Sequence, residues 1–68
     1  MKVKYLKYLR EKAGMTQIEL ADKLGVDRSS VAKWECGDAN PRSNMLPKLA
    51  QILNCSIDDF FALNSEVS

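Results

Sequence analysis

The sequence predicts an all-α fold, a compact bundle of five short helices. Three observations carry this reading. Apolar residues recur at 3-to-4 spacing in successive segments. Two of those segments open on a hydroxyl residue with an acid three positions later, Thr16 with Glu19 and Ser56 with Asp59. Gly14 and Gly25 fall where a left-handed residue would end a helix. The 68 residues make one domain, 1–63, followed by a short tail, 64–68. A core this small is marginal unless helices pack efficiently or a partner adds buried surface.

The first helix is predicted from Met1 to Ala13. Val3, Leu6, Leu9 or Arg10, and Ala13 form its inward stripe, and Gly14 closes it. Tyr5 and Tyr8 flank the stripe, either packing at its rim or offering rings for stacking. Lys2, Lys4, Lys7 and Lys12 make a solvated face. The second helix opens at Thr16, whose hydroxyl and the Glu19 carboxylate complete a capping box. Leu20, Ala21 and Leu24 share one face, Gly25 ends the helix, and Val26 tucks inward. Asp27 is predicted to cap the third helix through its side chain, with Arg28 as the first helical residue. Two helices joined by so short a Gly-containing turn must cross steeply, and the small Ala21 lets them approach. That is helix-turn-helix geometry.

After Gly37, the run D-A-N-P-R-S-N reads as a loop. A fourth helix is predicted from about Asn44 to Leu53, capped by Ser43 or Asn44, with Met45 or Leu46, Leu49, Ala50 and Leu53 inward. Pro47 is tolerated there because a first-turn N–H has no intrahelical partner to lose. Asn54 and Cys55 form the exit, and Ser56 caps a last short helix. Its Ile57, Phe60, Phe61 and Leu63 either seal the core alone or also leave a face for a second subunit.

Hydrophobic residues make up 46% of the chain and charged ones 28%, a balance that favours folding over disorder. No apolar run approaches the ~18 residues of a membrane span, and the start lacks a signal peptide's apolar region. A soluble, cytoplasmic protein is expected. The net charge of +1 says little about partners, but its distribution is uneven. Residues 1–48 hold all ten Lys/Arg against six acids, whereas residues 49–68 hold three acids and no base. A positive front and a negative tail would orient the molecule toward phosphates.

Cys36 and Cys55 are the only cysteines and there is no histidine, too few ligands for a closed zinc site. Their spacing is not that of a C-x-x-C redox pair, so two reduced thiols are expected, the alternative being a regulatory disulfide, with no metal and no cofactor. No nucleophile stands beside a base. Asp58 and Asp59 are adjacent, so on a helix they do not face each other. Catalysis is not expected.

The third helix carries the functional argument. At about 100° per residue, Val31 and Trp34 point one way, with Asp27 and Ser30 near them. Arg28, Ser29, Ala32 and Lys33 point the other way. A short, donor-rich front on an apolar back is either a plain solvated face or a surface shaped for a DNA major groove. The turn, both caps and that front occurring together favour the groove. Arg10 lies close to the apolar stripe of the first helix, where an unpaired guanidinium is costly, and Glu35 is its natural partner, unless the two are unrelated surface charges.

The segments T-Q-I-E-L-A-D-K-L-G-V and S-S-V-A-K-W-E-C-G resemble the motif of the lambda-repressor/Cro-like (XRE) helix-turn-helix family. The likeness extends through L-K-Y-L-R-E-K-A-G-M before the motif and L-A-Q-I-L-N-C-S-I-D-D-F-F after it, nearly the whole chain. The resemblance implies a five-helix bundle of the lambda-repressor type, with the motif at about 16–37. It implies a transcriptional regulator, a repressor, that binds double-stranded DNA sequence-specifically. It also implies an Arg10–Glu35 ion pair beneath the recognition helix, and a Gln17 that bonds phosphate and braces that helix.

In such proteins the loop after the recognition helix lies along the DNA backbone, so Asn40, Arg42 and Ser43 are expected on phosphates, with Ser30. Asp38 departs from the pattern, since an acid near phosphate weakens binding unless it points away. Base reading would fall to Arg28, which can grip guanine O6 and N7 together, with Ser29, Ala32 and Lys33 tuning selectivity. Ala32 suits a thymine methyl, and Asp27 is a cap or a cytosine reader. The family commonly dimerises through its fourth and fifth helices. That places Ile57, Phe60 and Phe61 at a homodimer interface on a palindromic operator. The competing reading is a protein-interaction module using the Phe60/Phe61 end, and an antitoxin would combine both roles. No membrane partner and no small-molecule ligand are expected.

Overall fold

The computed structural model describes residues 3–61. They form four α-helices, α1 (Leu6–Lys12), α2 (Gln17–Leu24), α3 (Arg28–Cys36) and α4 (Leu46–Leu53). Two short 3-10 turns, Ser43–Met45 and Ile57–Phe60, flank α4. Each of these helices and the last turn sends one fully buried side chain to a common centre: Leu6, Leu20, Val31, Leu49 and Phe60. Full burial of such a side chain stabilises by roughly 1.5–3 kcal/mol. Around this centre α3 packs on α2 and α1, and α4 packs on α2. No helix of the described residues is long and apolar enough to cross a membrane.

The local signals around α2 are realised. Thr16 Oγ1 accepts from the Glu19 amide at 3.1 Å, and the Glu19 carboxylate accepts from the Thr16 amide at 2.9 Å. The box satisfies two backbone donors that a helix start leaves open. Gly25 ends the helix at φ 76°. The Val26 amide then donates back to the Ala21 carbonyl at 3.0 Å, which turns the chain sharply into α3. Ala21 is buried at the crossing, as its size suggests.

Several expectations are corrected. α1 begins at Leu6 rather than Met1, and Ala13, assigned to its inward stripe, is exposed. The physical reason is that the chain before Leu6 is drawn elsewhere: the Tyr5 amide donates to the Phe60 carbonyl at 3.1 Å. The fifth helix is a single 3-10 turn, so the described residues hold four α-helices and not five. In that turn the Asp59 amide reaches the Ser56 carbonyl and the Phe61 amide reaches Asp58, both three residues back. Ser56 and Asp59 still cap it, the Ser56 amide donating to Asp59 Oδ2 at 3.1 Å. Leu63 and the tail lie outside the described residues.

Two caps also differ. Asp27 occupies the N-cap position of α3, but its side chain makes no capping bond. Its main-chain carbonyl takes the Ser30 amide instead, at 3.0 Å. The segment before α4 opens as the 3-10 turn Ser43–Met45, with Arg42 ahead of it, so neither Ser43 nor Asn44 caps α4. Pro47 stands at the second residue of α4, where its missing N–H costs nothing.

Candidate nucleic-acid interface

The outward face of α3 is set by what its other face buries. Val31 is fully buried and Trp34 is 8% exposed, which locks the helix about its own axis. Arg28, Ser29 and Lys33 are consequently exposed, while Ala32 and Ser30 are half-buried between the two faces. Arg28 and Lys33 are not turned into the molecule, whereas Ala32, assigned to the front, is half-buried like Ser30, assigned to the back. Gly37 closes α3 at φ 88°. The amides of Gly37, Asp38 and Ala39 then converge on the Lys33 carbonyl at 3.0–3.3 Å. This anchors the start of the loop that carries Asn40, Arg42 and Ser43, all exposed. Asp38 is exposed too.

Behind the front lies a buried ion pair. Arg10 Nε donates to Glu35 Oε2 at 2.6 Å, and Nη2 donates to Oε1 at 3.3 Å. Their side chains are only 9% and 5% exposed, and the two-point geometry satisfies both groups. The hydrogen bond to Glu35 raises the Arg10 pKa above its ordinary value, burial opposing it and the Glu35 charge adding to it. The pairing expected of Arg10 and Glu35 is therefore present.

Three further bonds extend the pair, two of them giving partners to the Gln17 that was expected to brace the recognition helix. Arg10 Nη1 donates to the Met15 carbonyl at 2.7 Å, tying α1 to the entrance of α2. Gln17 Nε2 donates to Glu35 Oε1 at 3.0 Å, and Arg28 Nη1 donates to Gln17 Oε1 at 3.2 Å. A continuous chain thus runs from Arg10 through Glu35 and Gln17 to Arg28. For Arg10's bond to Met15 the advance signal was arithmetic: a guanidinium carries five donors, more than one carboxylate accepts. Ile18, beside Gln17, is 57% exposed.

The group assigned to a subunit interface divides. Phe60 is fully buried within the chain and belongs to the core, which removes it from any interface. Ile57 is 38% exposed and Phe61 is half-buried. Cys36 is exposed and Cys55 half-buried, both as free thiols. Burial, with Asp59 nearby, pushes the Cys55 thiol pKa up.

The helix-turn-helix family pattern matches residues 6–60, from the first residue of α1 to the last of the closing turn. The chain belongs to the XRE-type helix-turn-helix family. This helix-turn-helix chain is 39% identical over 61 residues to an HTH-type transcriptional regulator of Archaeoglobus fulgidus, covering 90% of this chain and 87% of the relative. It is 38% identical over 55 residues to the HTH-type transcriptional regulator ImmR of Bacillus subtilis, covering 81% and 43%. It is 37% identical over 50 residues to RstR, a cryptic phage CTXphi transcriptional repressor of Vibrio cholerae, covering 74% and 45%. The helix-turn-helix chain therefore spans most of the archaeal relative and less than half of ImmR and RstR.

Proposed function

We propose that this chain binds double-stranded DNA sequence-specifically and regulates transcription as a repressor, with α3 in the major groove. The observation that carries the reading is the outward row Arg28, Ser29 and Lys33 on a helix held from behind by Val31 and Trp34. Such a row offers hydrogen-bond donors to base edges at a depth a helix can reach. Arg28 reads a guanine, Ser29 and Lys33 tune neighbouring bases, and half-buried Ala32 meets a thymine methyl. Gln17, Ser30, Asn40, Arg42 and Ser43 hold the register on phosphates, which positions the helix without reading sequence. Repression agrees with the names of two relatives, RstR and an Acinetobacter baylyi competence pilus inhibition repressor. The chain acts in the cytoplasm.

A homodimer on a palindromic operator completes the reading, with Ile57 and Phe61 rather than Phe60 at the subunit contact. Two half-sites would then lie about one helical turn, ~34 Å, apart. Selection of bound duplexes from a random pool tests all of this. A symmetric consensus is expected, with affinity for it orders of magnitude above random duplex. Equal affinity for both, unchanged in Arg28→Ala, would refute base reading.

A further inference from the structure

We propose that Glu35 is a positioning residue for base recognition, acting on Arg28 through the side-chain amide of Gln17. The inference rests on the DNA-reading role proposed above and assigns the buried ion pair a part in it. Gln17 lies on α2, Arg28 and Glu35 at opposite ends of α3. The Gln17 amide is the bridge, since Nε2 donates to Glu35 and Oε1 accepts from Arg28.

The direction of that bridge follows from chemistry. An ionised carboxylate only accepts, so the amide must turn its NH2 end toward Glu35. Its carbonyl then faces Arg28, which only donates. Arg10 holds the Glu35 carboxylate at two points, so the acceptor that orients Gln17 cannot swing away. Only Nη1 of Arg28 is engaged by Gln17, which leaves the rest of the guanidinium fork for a base. An exposed arginine otherwise spends much of its time in other rotamers, and each must be given up on binding. Held by Gln17, Arg28 is arranged before DNA arrives. A neutral group in place of the carboxylate would let the amide reverse and set its NH2 against the guanidinium. Glu35 thus bears on sequence discrimination without touching DNA.

The test compares four proteins: wild type, Gln17→Met, the paired replacement Arg10→Met/Glu35→Met, and the triple combination. The paired replacement removes both charges together and so leaves no unpaired ion in the interior. Each is titrated with the duplex selected by wild type, with that duplex changed at the guanine assigned to Arg28, and with random duplex. Gln17→Met is expected to lose on the order of ten-fold in discrimination at that guanine, within the range one bidentate base contact commands. The paired replacement should lose the same amount while keeping most of its random-duplex affinity. A purely structural role would lower both affinities together.

The triple combination should lose no more than either, because both changes cut one chain. Full discrimination in the folded paired replacement, or losses that multiply in the triple, overturns the proposal. If the paired replacement fails to fold, Glu35→Asp serves, keeping the charge opposite Arg10 but withdrawing the carboxylate from Gln17; discrimination retained there overturns it equally. A wild type that prefers no duplex removes the DNA-reading role itself, a result distinct from any of these.

Discussion

The backbone amide of Tyr5 donates to the carbonyl of Phe60 at 3.1 Å, joining the two ends of the described chain. The bond places the fully buried Phe60 ring in the centre that α1 to α4 surround. The closing turn is therefore part of the core and not an appendage. Phe60→Ala is expected to cost about 3–5 kcal/mol, through lost burial and the cavity left behind. A domain of this size has on the order of 5–15 kcal/mol in total, so thermal melting should drop steeply. Ile57→Ala, at a site 38% exposed, should shift the melt far less. Comparable losses for both would contradict the placement of Phe60.

Arg10 and Glu35 make a second prediction, about stability. Removing one partner leaves the other charge buried and unpaired, and Arg10→Met alone should cost about 3–5 kcal/mol. Replacing both by Met should restore most of that loss, since two apolar side chains need no partner. Chemical denaturation of the single and paired variants measures the difference. A paired variant as unstable as the single one would mean that Arg10's bond to the Met15 carbonyl matters more than the ion pair.

Glu19 supplies a pH dependence whose sign is determined. Hydrogen bonds with Thr16, the amide first and the hydroxyl partner second, hold its carboxyl below the ordinary glutamate value of 4.5. The unfolded chain therefore binds a proton at a higher pH than the folded chain does. The capping box contributes fully above the ordinary value and is lost as pH falls through the lowered one. Denaturation followed between about pH 6 and pH 3 should show stability falling through this window. Glu19→Gln should flatten that slope while leaving α2 folded at neutral pH. An unchanged slope would place the acid sensitivity elsewhere.

The parts of the molecule that were legible from the sequence are those decided within one turn of chain. The Thr16–Glu19 box, the left-handed Gly25 and the inward pair Val31 and Trp34 all depend on neighbours three or four residues away. They correctly marked α2, the turn, and the outward face of α3. The start of α1 and the last turn were misjudged because a bond between distant residues, Tyr5 and Phe60, decides both. Apolar spacing counted Phe60 as a candidate for an interface, and only packing distinguishes it from Ile57. In the site, periodicity found Arg28 and charge logic found Arg10 with Glu35. The resemblance gave Gln17 its bracing role, but its partners Glu35 and Arg28 depend on the angle at which α2 crosses α3.

Arg42 and Arg28 allow phosphate contact to be separated from base reading. Arg42 is exposed in the loop beyond α3, ahead of the 3-10 turn Ser43–Met45. A guanidinium on a phosphate releases about one counterion, so its loss weakens every duplex alike. Arg42→Ala should lower affinity for selected and random duplex by similar factors and reduce the salt slope by about one. Arg28→Ala should instead erase preference at one base pair, worth roughly 1–3 kcal/mol. Titrations of both variants across a salt series, on both duplexes, measure the two effects together. If Arg42→Ala leaves the slope untouched, the loop does not follow the DNA backbone, and the recognition helix must be held in the groove by α2 and α3 alone.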